Sequence, residues 1–95
     1  MKCNVRTGEA TIGSTKINLT RNEIVILNII TNKRGITTLE EIYEAVYKVK
    51  VRTLTNYDKR LLYVNVNRLK KKLNGLIEIK SHYGYGYEVI SDGKI

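Results

Sequence analysis

Two threonines limit what this chain can fold into more than any other residues. Thr20-Arg21-Asn22-Glu23 and Thr38-Leu39-Glu40-Glu41 both read Thr-x-x-Glu. In this pattern the hydroxyl accepts from the glutamate N–H, and the carboxylate accepts from the threonine N–H. Both N–H groups would otherwise lack partners at a helix start. Two helices therefore begin at known points, and the first has little room before the second. It is expected over about 21–33, with Gly35 available for a left-handed stop. Leu19 and Ile24 flank its cap at hydrophobic-staple positions. Ile24, Val25, Ile26, Leu27, Ile29 and Ile30 spread apolar surface around most of its circumference, so it must be covered on more than one side. The second helix is expected over about 39–47. Leu39, Ile42, Tyr43 and Val46 form its stripe, and Glu40, Glu41 and Glu44 favour the positive end of its dipole.

A third helix follows from spacing. Leu62, Val66, Leu69 and Leu73 fall at i, i+4, i+7 and i+11, a buried stripe on a helix over about 57–73. Thr55 or Asn56 can cap it, and Gly75 can stop it. At about 100° per residue, its opposite side carries Arg60, Val64, Asn67, Arg68 and Lys71. Before and after the helices the period changes to two. Residues 2–19 read as short strands, with turns at Thr7-Gly8-Glu9 and Gly13-Ser14-Thr15 and with Ile12, Ile17 and Leu19 inward. Beyond the third helix, Ile77 and Ile79 alternate with Glu78 and Lys80, and Tyr85, Tyr87 and Val89 alternate with Gly86 and Glu88. Ser81-His82-Tyr83-Gly84 can turn between them, giving a hairpin over about 76–90 with Tyr85 and Tyr87 facing the core. The class is α+β: one domain over 1–95, with three helices, a short N-terminal antiparallel sheet and a C-terminal β-hairpin.

The net charge of +8 is unevenly placed. Segment 48–72 holds nine basic residues against Asp58 alone, which accounts for the whole excess; elsewhere eight bases match eight acids. Mixed charge would serve solubility as well, so this concentration points to a polyanionic partner. Nothing points to enzyme chemistry. The sole histidine, His82, sits in a hairpin turn, and the sole cysteine, Cys3, is far from it in sequence. No paired-carboxylate, metal-ligand or phosphate-loop pattern is present, so no enzyme, cofactor or metal is expected. No apolar run approaches the ~20 residues of a membrane span, and residues 1–20 lack the apolar block of a signal peptide. A cytoplasmic location without membrane contact is therefore expected.

The outer side of the third helix has a mixture suited to a DNA major groove. Arginine can grip guanine by two bonds, asparagine can read adenine, and an aliphatic side chain can touch the thymine methyl. Flanking cations meet phosphates and set register. In four places the chain also resembles the winged helix-turn-helix effector domain of the OmpR/PhoB type, found at the C-terminus of many bacterial response regulators. "INLTRNEIVILNII" resembles that family's strand, threonine cap and first helix, and "GITTLEEIYEAVY" its second helix, with Tyr47 where tryptophan is common. "RLLYVNVNRLKKKL" resembles its recognition helix, and "YGYGYEV" its wing. The four pieces run in order from about Ala10 to Ile90.

The resemblance implies a two-component transcription regulator that reads specific double-stranded DNA. Its recognition helix would enter the major groove and its wing would lie over the minor groove. Base contacts would fall on Val64, Asn65 and Arg68, and backbone contacts on Arg60 and Ser81. The basic face adds Asn67, Lys71 and Lys72 to the backbone set, and Lys80, His82 and Tyr83 belong to the wing. A head-to-tail homodimer on direct repeats, and RNA polymerase facing the 48–56 connection, are implied by resemblance alone. Three departures stand out. Tyr83 takes a wing position that often carries arginine, Glu88 replaces an arginine after the last wing tyrosine, and 19 residues before Thr20 leave room for about three strands where four are usual. A chain of 95 residues also leaves no room for a receiver domain. Two other readings remain: RNA or single-strand binding through stacked tyrosines, and a protein-interaction module that has lost DNA binding.

Overall fold

Each helix opens on a threonine. Thr20, Thr38 and Thr55 stand just before α1 (Arg21–Thr31), α2 (Leu39–Tyr47) and α3 (Asn56–Leu73), and all three make the reciprocal bonds of a capping box. For α3 the choice between Thr55 and Asn56 is settled by Asp58. Its carboxylate accepts from the Thr55 N–H at 3.1 Å, and its own N–H donates to the Thr55 hydroxyl at 3.1 Å. α1 ends two residues earlier than expected. The Thr31 hydroxyl donates back to the Leu27 carbonyl at 2.7 Å, and the Asn32 amide donates to the Asn28 side chain at 3.1 Å. Such short polar side chains compete with the helix ladder. Gly35 thus lies beyond the cap.

The computed structural model describes residues 1–91; residues 92–95, part of the predicted single domain, lie outside the described residues. β1 (Lys2–Asn4), β2 (Glu9–Ile12) and β3 (Thr15–Asn18) form an antiparallel sheet in that order. Ile12 and Leu19 are buried and Ile17 is half-buried; Ala10 joins them.

The second sheet holds the one strand that the sequence reading missed. β5 (Glu78–His82) and β6 (Gly86–Ser91) pair as the expected hairpin. β6 also pairs on its other side with β4 (Thr37–Thr38), so the order is β4-β6-β5. Gly86 allows this close approach, because a Cβ there would lie 2.0 Å from the Thr37 carbonyl oxygen. The hairpin turn also differs from expectation. β5 keeps its ladder as far as His82, and the turn is Tyr83-Gly84-Tyr85, closed by the Tyr85 N–H donating to the His82 carbonyl at 2.9 Å. Tyr85 thus stands outside the ladder, where alternation no longer applies, and is 57% exposed rather than packed in the core. Tyr87 is buried as expected.

α1 packs on both α2 and α3. Ile24, Ile26, Leu27 and Ile30 of α1 meet Leu39 and Ile42 of α2 and the predicted Leu62, Val66, Leu69 and Leu73 stripe of α3 in one core. Each such side chain contributes roughly 1.5–3 kcal/mol by leaving water. Leu19, Ile79 and Tyr87 extend that core to the two sheets. α2 and α3 form a helix-turn-helix, and the β5–β6 hairpin beside α3 is its wing. The connection between the helices is pinned by buried Leu54 and by the Val51 N–H donating to the Glu44 carboxylate at 3.1 Å. Lys48, Val49, Lys50 and Arg52 remain exposed on it. No described helix is long and apolar enough to cross a membrane.

Candidate nucleic-acid interface

α3 has three faces. The core face is the leucine stripe. The outer face carries Arg60, Val64, Arg68 and Lys71 about one turn apart, all exposed. Val64 is 40% exposed, an apolar side chain left in water among cations. Among the described residues, none of Arg60, Arg68 and Lys71 pairs with a carboxylate. Asp58, the one acid of segment 48–72, is held in the Thr55 cap. This face therefore presents unneutralised positive charge around a small apolar contact.

The third face looks toward the wing. Asn56, Lys59, Tyr63, Asn67 and Lys70 lie along it at helical spacing. Asn56, Lys59, Arg60 and Tyr63 border a hollow closed by Tyr83 and Gly84 of the wing tip. Tyr63 and Asn67 border its neighbour, closed by Ser81, Tyr83 and Tyr87. The Lys70 ammonium lies 5.7 Å from the centre of the Tyr87 ring. Burial, with the nearby Tyr63, pushes the Tyr87 phenol up to about 12, so it is neutral at ordinary pH. On the wing itself Lys80 and Ser81 are exposed, and Tyr83 is 97% exposed. His82 is half-buried, its Nε2 2.9 Å from a Glu88 carboxylate oxygen.

The predicted site residues do not all come together. Arg60, Val64, Arg68 and Lys71 share the outer face, while Lys80, Ser81, His82 and Tyr83 lie on the adjacent wing. Asn67 sits between the two, in the helix–wing groove. Asn65 is half-buried, and its side-chain amide donates to the Leu61 carbonyl at 2.9 Å, which turns it back on its own helix. Lys72 also turns away. Its ammonium lies 2.8 Å from a carboxylate oxygen of Glu23, which is 2% exposed and also accepts from the Thr20 N–H at 2.9 Å. Burial acts to raise the Glu23 pKa, but bonds from Lys72 and Thr20 outweigh it and hold it below the ordinary carboxyl value. Lys72 thus ties the end of α3 to the start of α1.

The sequence reading did not single out Lys59 and Tyr63. The signal was available in the spacing of 56, 59, 63, 67 and 70. What spacing could not tell was that a wing covers that side of the helix. Among the described residues, no three His, Cys, Asp or Glu side chains come together as a metal site.

Solved structures share this fold, and two of them are DNA-binding or C-terminal domains of bacterial regulators. The DNA-binding domain of Bacillus subtilis CssR matches with a TM-score of 0.71 and 23% identity, over 94% of this chain and 98% of that one. The C-terminal domain of the nisin resistance regulator NsrR, a lantibiotic response regulator, matches with a TM-score of 0.67 and 24% identity, over 88% of this chain and 85% of that one. No family model matches the sequence, and no curated protein is detectably similar to it.

Proposed function

We infer that this chain is a sequence-specific double-stranded DNA-binding domain of a bacterial response-regulator type, without enzymatic activity of its own. α3 lies in the major groove and the wing lies over the adjacent minor groove. The observation that carries this reading is the outer face of α3, where exposed Val64 stands among Arg60, Arg68 and Lys71, cations without carboxylate partners among the described residues. The fold shared with the domains of CssR and NsrR supports it. Val64 and Arg68 read base edges, and Arg60, Lys71 and Ser81 hold phosphates. Asn65 joins the base readers by releasing its bond to Leu61, while Lys72 stays with Glu23. A recognition face blocked by acids would favour a protein-interaction module instead, and Asp58 is held in a helix cap. Protomers pair head to tail on direct repeats, and the exposed cations of the connection face a protein partner such as polymerase.

A selection from random duplex DNA tests binding, sequence and half-site spacing together. On the selected site, Arg68→Ala should weaken binding by roughly 1–3 kcal/mol and relax one base position, whereas Lys71→Ala should weaken all sequences alike. Equal losses for both variants on selected and random duplexes would remove Arg68 from the base readers.

A further inference from the structure

Two hollows lie side by side between α3 and the wing, sharing Tyr63 and Tyr83 as walls. Beyond those rings, the hollow at the start of α3 is bordered by Lys59 and Arg60, with Asn56 and Gly84. The other is bordered by Asn67, Ser81 and a third ring, Tyr87, and no charged side chain borders it. One space is cationic. The other is aromatic, with an amide and a hydroxyl. A nucleotide divides in the same way, into an anionic phosphate and a flat ring with a hydrogen-bonding edge.

We propose that these joined hollows hold one unpaired nucleotide, its base against Tyr63 and Tyr83 and its phosphate against Lys59 and Arg60. A base inside a duplex cannot enter, because stacked neighbours cover its faces and its partner covers its edge. The walls differ in a useful way. Tyr63 is half-buried and packed on the core, whereas Tyr83 is 97% exposed on the wing tip. One ring is held against the core, and the other stands in solvent on the far side of the hollow. The Asn67 amide both donates and accepts, so the site serves any base without choosing one. Stacking on an aromatic side chain favours binding by about five- to a hundred-fold per base.

Two sources offer this chemistry, an unpaired nucleotide within a DNA strand and a free mononucleotide. The first rests on the duplex-binding reading, and the second does not. The full chain is titrated with a paired duplex, the same duplex bearing a single-nucleotide bulge, and deoxyadenosine 5′-monophosphate. The chain has no tryptophan and seven tyrosines, so the part of the tyrosine quenching that is lost in Tyr83→Ala reports stacking on that ring. The bulged duplex should bind about five- to a hundred-fold tighter than the paired one. Tyr83→Ala should abolish that margin and Tyr83→Phe should keep it; a ring so exposed carries little of the fold, which a melt of each variant checks. Quenching by the mononucleotide that is lost in Tyr83→Ala supports the site with a free nucleotide as source, even if no duplex binds and the DNA reading falls. Equal binding of bulged and paired duplexes with no quenching by the mononucleotide overturns the site and leaves duplex binding standing. A bulge preference that survives in Tyr83→Ala overturns it too.

Discussion

Lys71 and Lys72 are neighbours with different partners. Lys71 is exposed on the outer face of α3, while Lys72 is bonded to Glu23 at 2.8 Å. Lys72→Met leaves a carboxylate of 2% exposure with its Thr20 bond alone. Lys72 itself is 42% exposed, so water screens the pair. The loss should be about 1–3 kcal/mol, below the penalty of breaking a fully buried pair. The pH dependence follows from the sign of the Glu23 shift. A carboxyl lowered by folding stabilises above its unfolded value and loses that contribution as pH falls through its folded one. Wild type and Lys72→Met should therefore differ most above the ordinary value of 4.5 and converge in acid. Urea melts at neutral and acid pH decide this; a gap of constant size would exclude the pair as its cause. Thr37 offers a simpler test. It is fully buried, and its hydroxyl has no hydrogen-bond partner among the described residues. Valine has the same shape without the unsatisfied group. Thr37→Val should gain about 1 kcal/mol, raising Tm by roughly 4–8 °C in a domain of this size, and a lower Tm would contradict it.

The wing depends on an approach that a single methyl group blocks. In Gly86→Ala the new Cβ meets the Thr37 carbonyl oxygen at 2.0 Å, and backbone cannot swing aside as a side-chain tip can. The substitution should cost about 1–3 kcal/mol and speed amide exchange in β4 and β6 while the helices stay protected. Exchange unchanged at Leu39, whose N–H donates to the Tyr85 carbonyl at 2.9 Å beside this pairing, would show that β4 does not need that approach. The same pair explains which elements could be read from sequence. Helix starts were legible because a capping box is local, written within four residues, and the α3 stripe because its leucines follow one helical period. β4 was not, since two threonines between helices carry no alternation and their partner strand lies at the other end of the chain. Tyr85 was misplaced because alternation persists in sequence through a turn that has already left the ladder. Within the candidate site, the outer face of α3 followed from the wheel except for Asn67, which borders the wing side instead. The bonds of Asn65 and Lys72 did not, because a wheel gives direction and not partners.

Across the whole molecule, the +8 charge is not one surface. Of the nine bases in segment 48–72, Lys72 is paired with Glu23 and Lys70 lies over the Tyr87 ring. Lys48, Lys50 and Arg52 stand on the connection between α2 and α3. That leaves Lys59, Arg60, Arg68 and Lys71 on α3, joined by Lys80 on the wing. If these five meet the duplex, with Arg68 at a base edge, about four to five phosphates are neutralised, and log affinity should fall with log salt at a slope of about −4 to −5. Replacing Lys71 with alanine should reduce the steepness by about one, while Lys72→Met should leave it nearly unchanged. The connection supplies the sharper test. Surface charges beyond roughly 8 Å are largely screened at physiological salt, so cations that face a protein partner contribute little to the DNA slope. A triple variant, Lys48→Ala with Lys50→Ala and Arg52→Ala, should therefore bind an isolated duplex with nearly the wild-type slope. Its loss should appear only when the partner protein is present. A slope shallower by about three on DNA alone would put the connection on the phosphate backbone, and the assignment of that segment to a protein partner would fail.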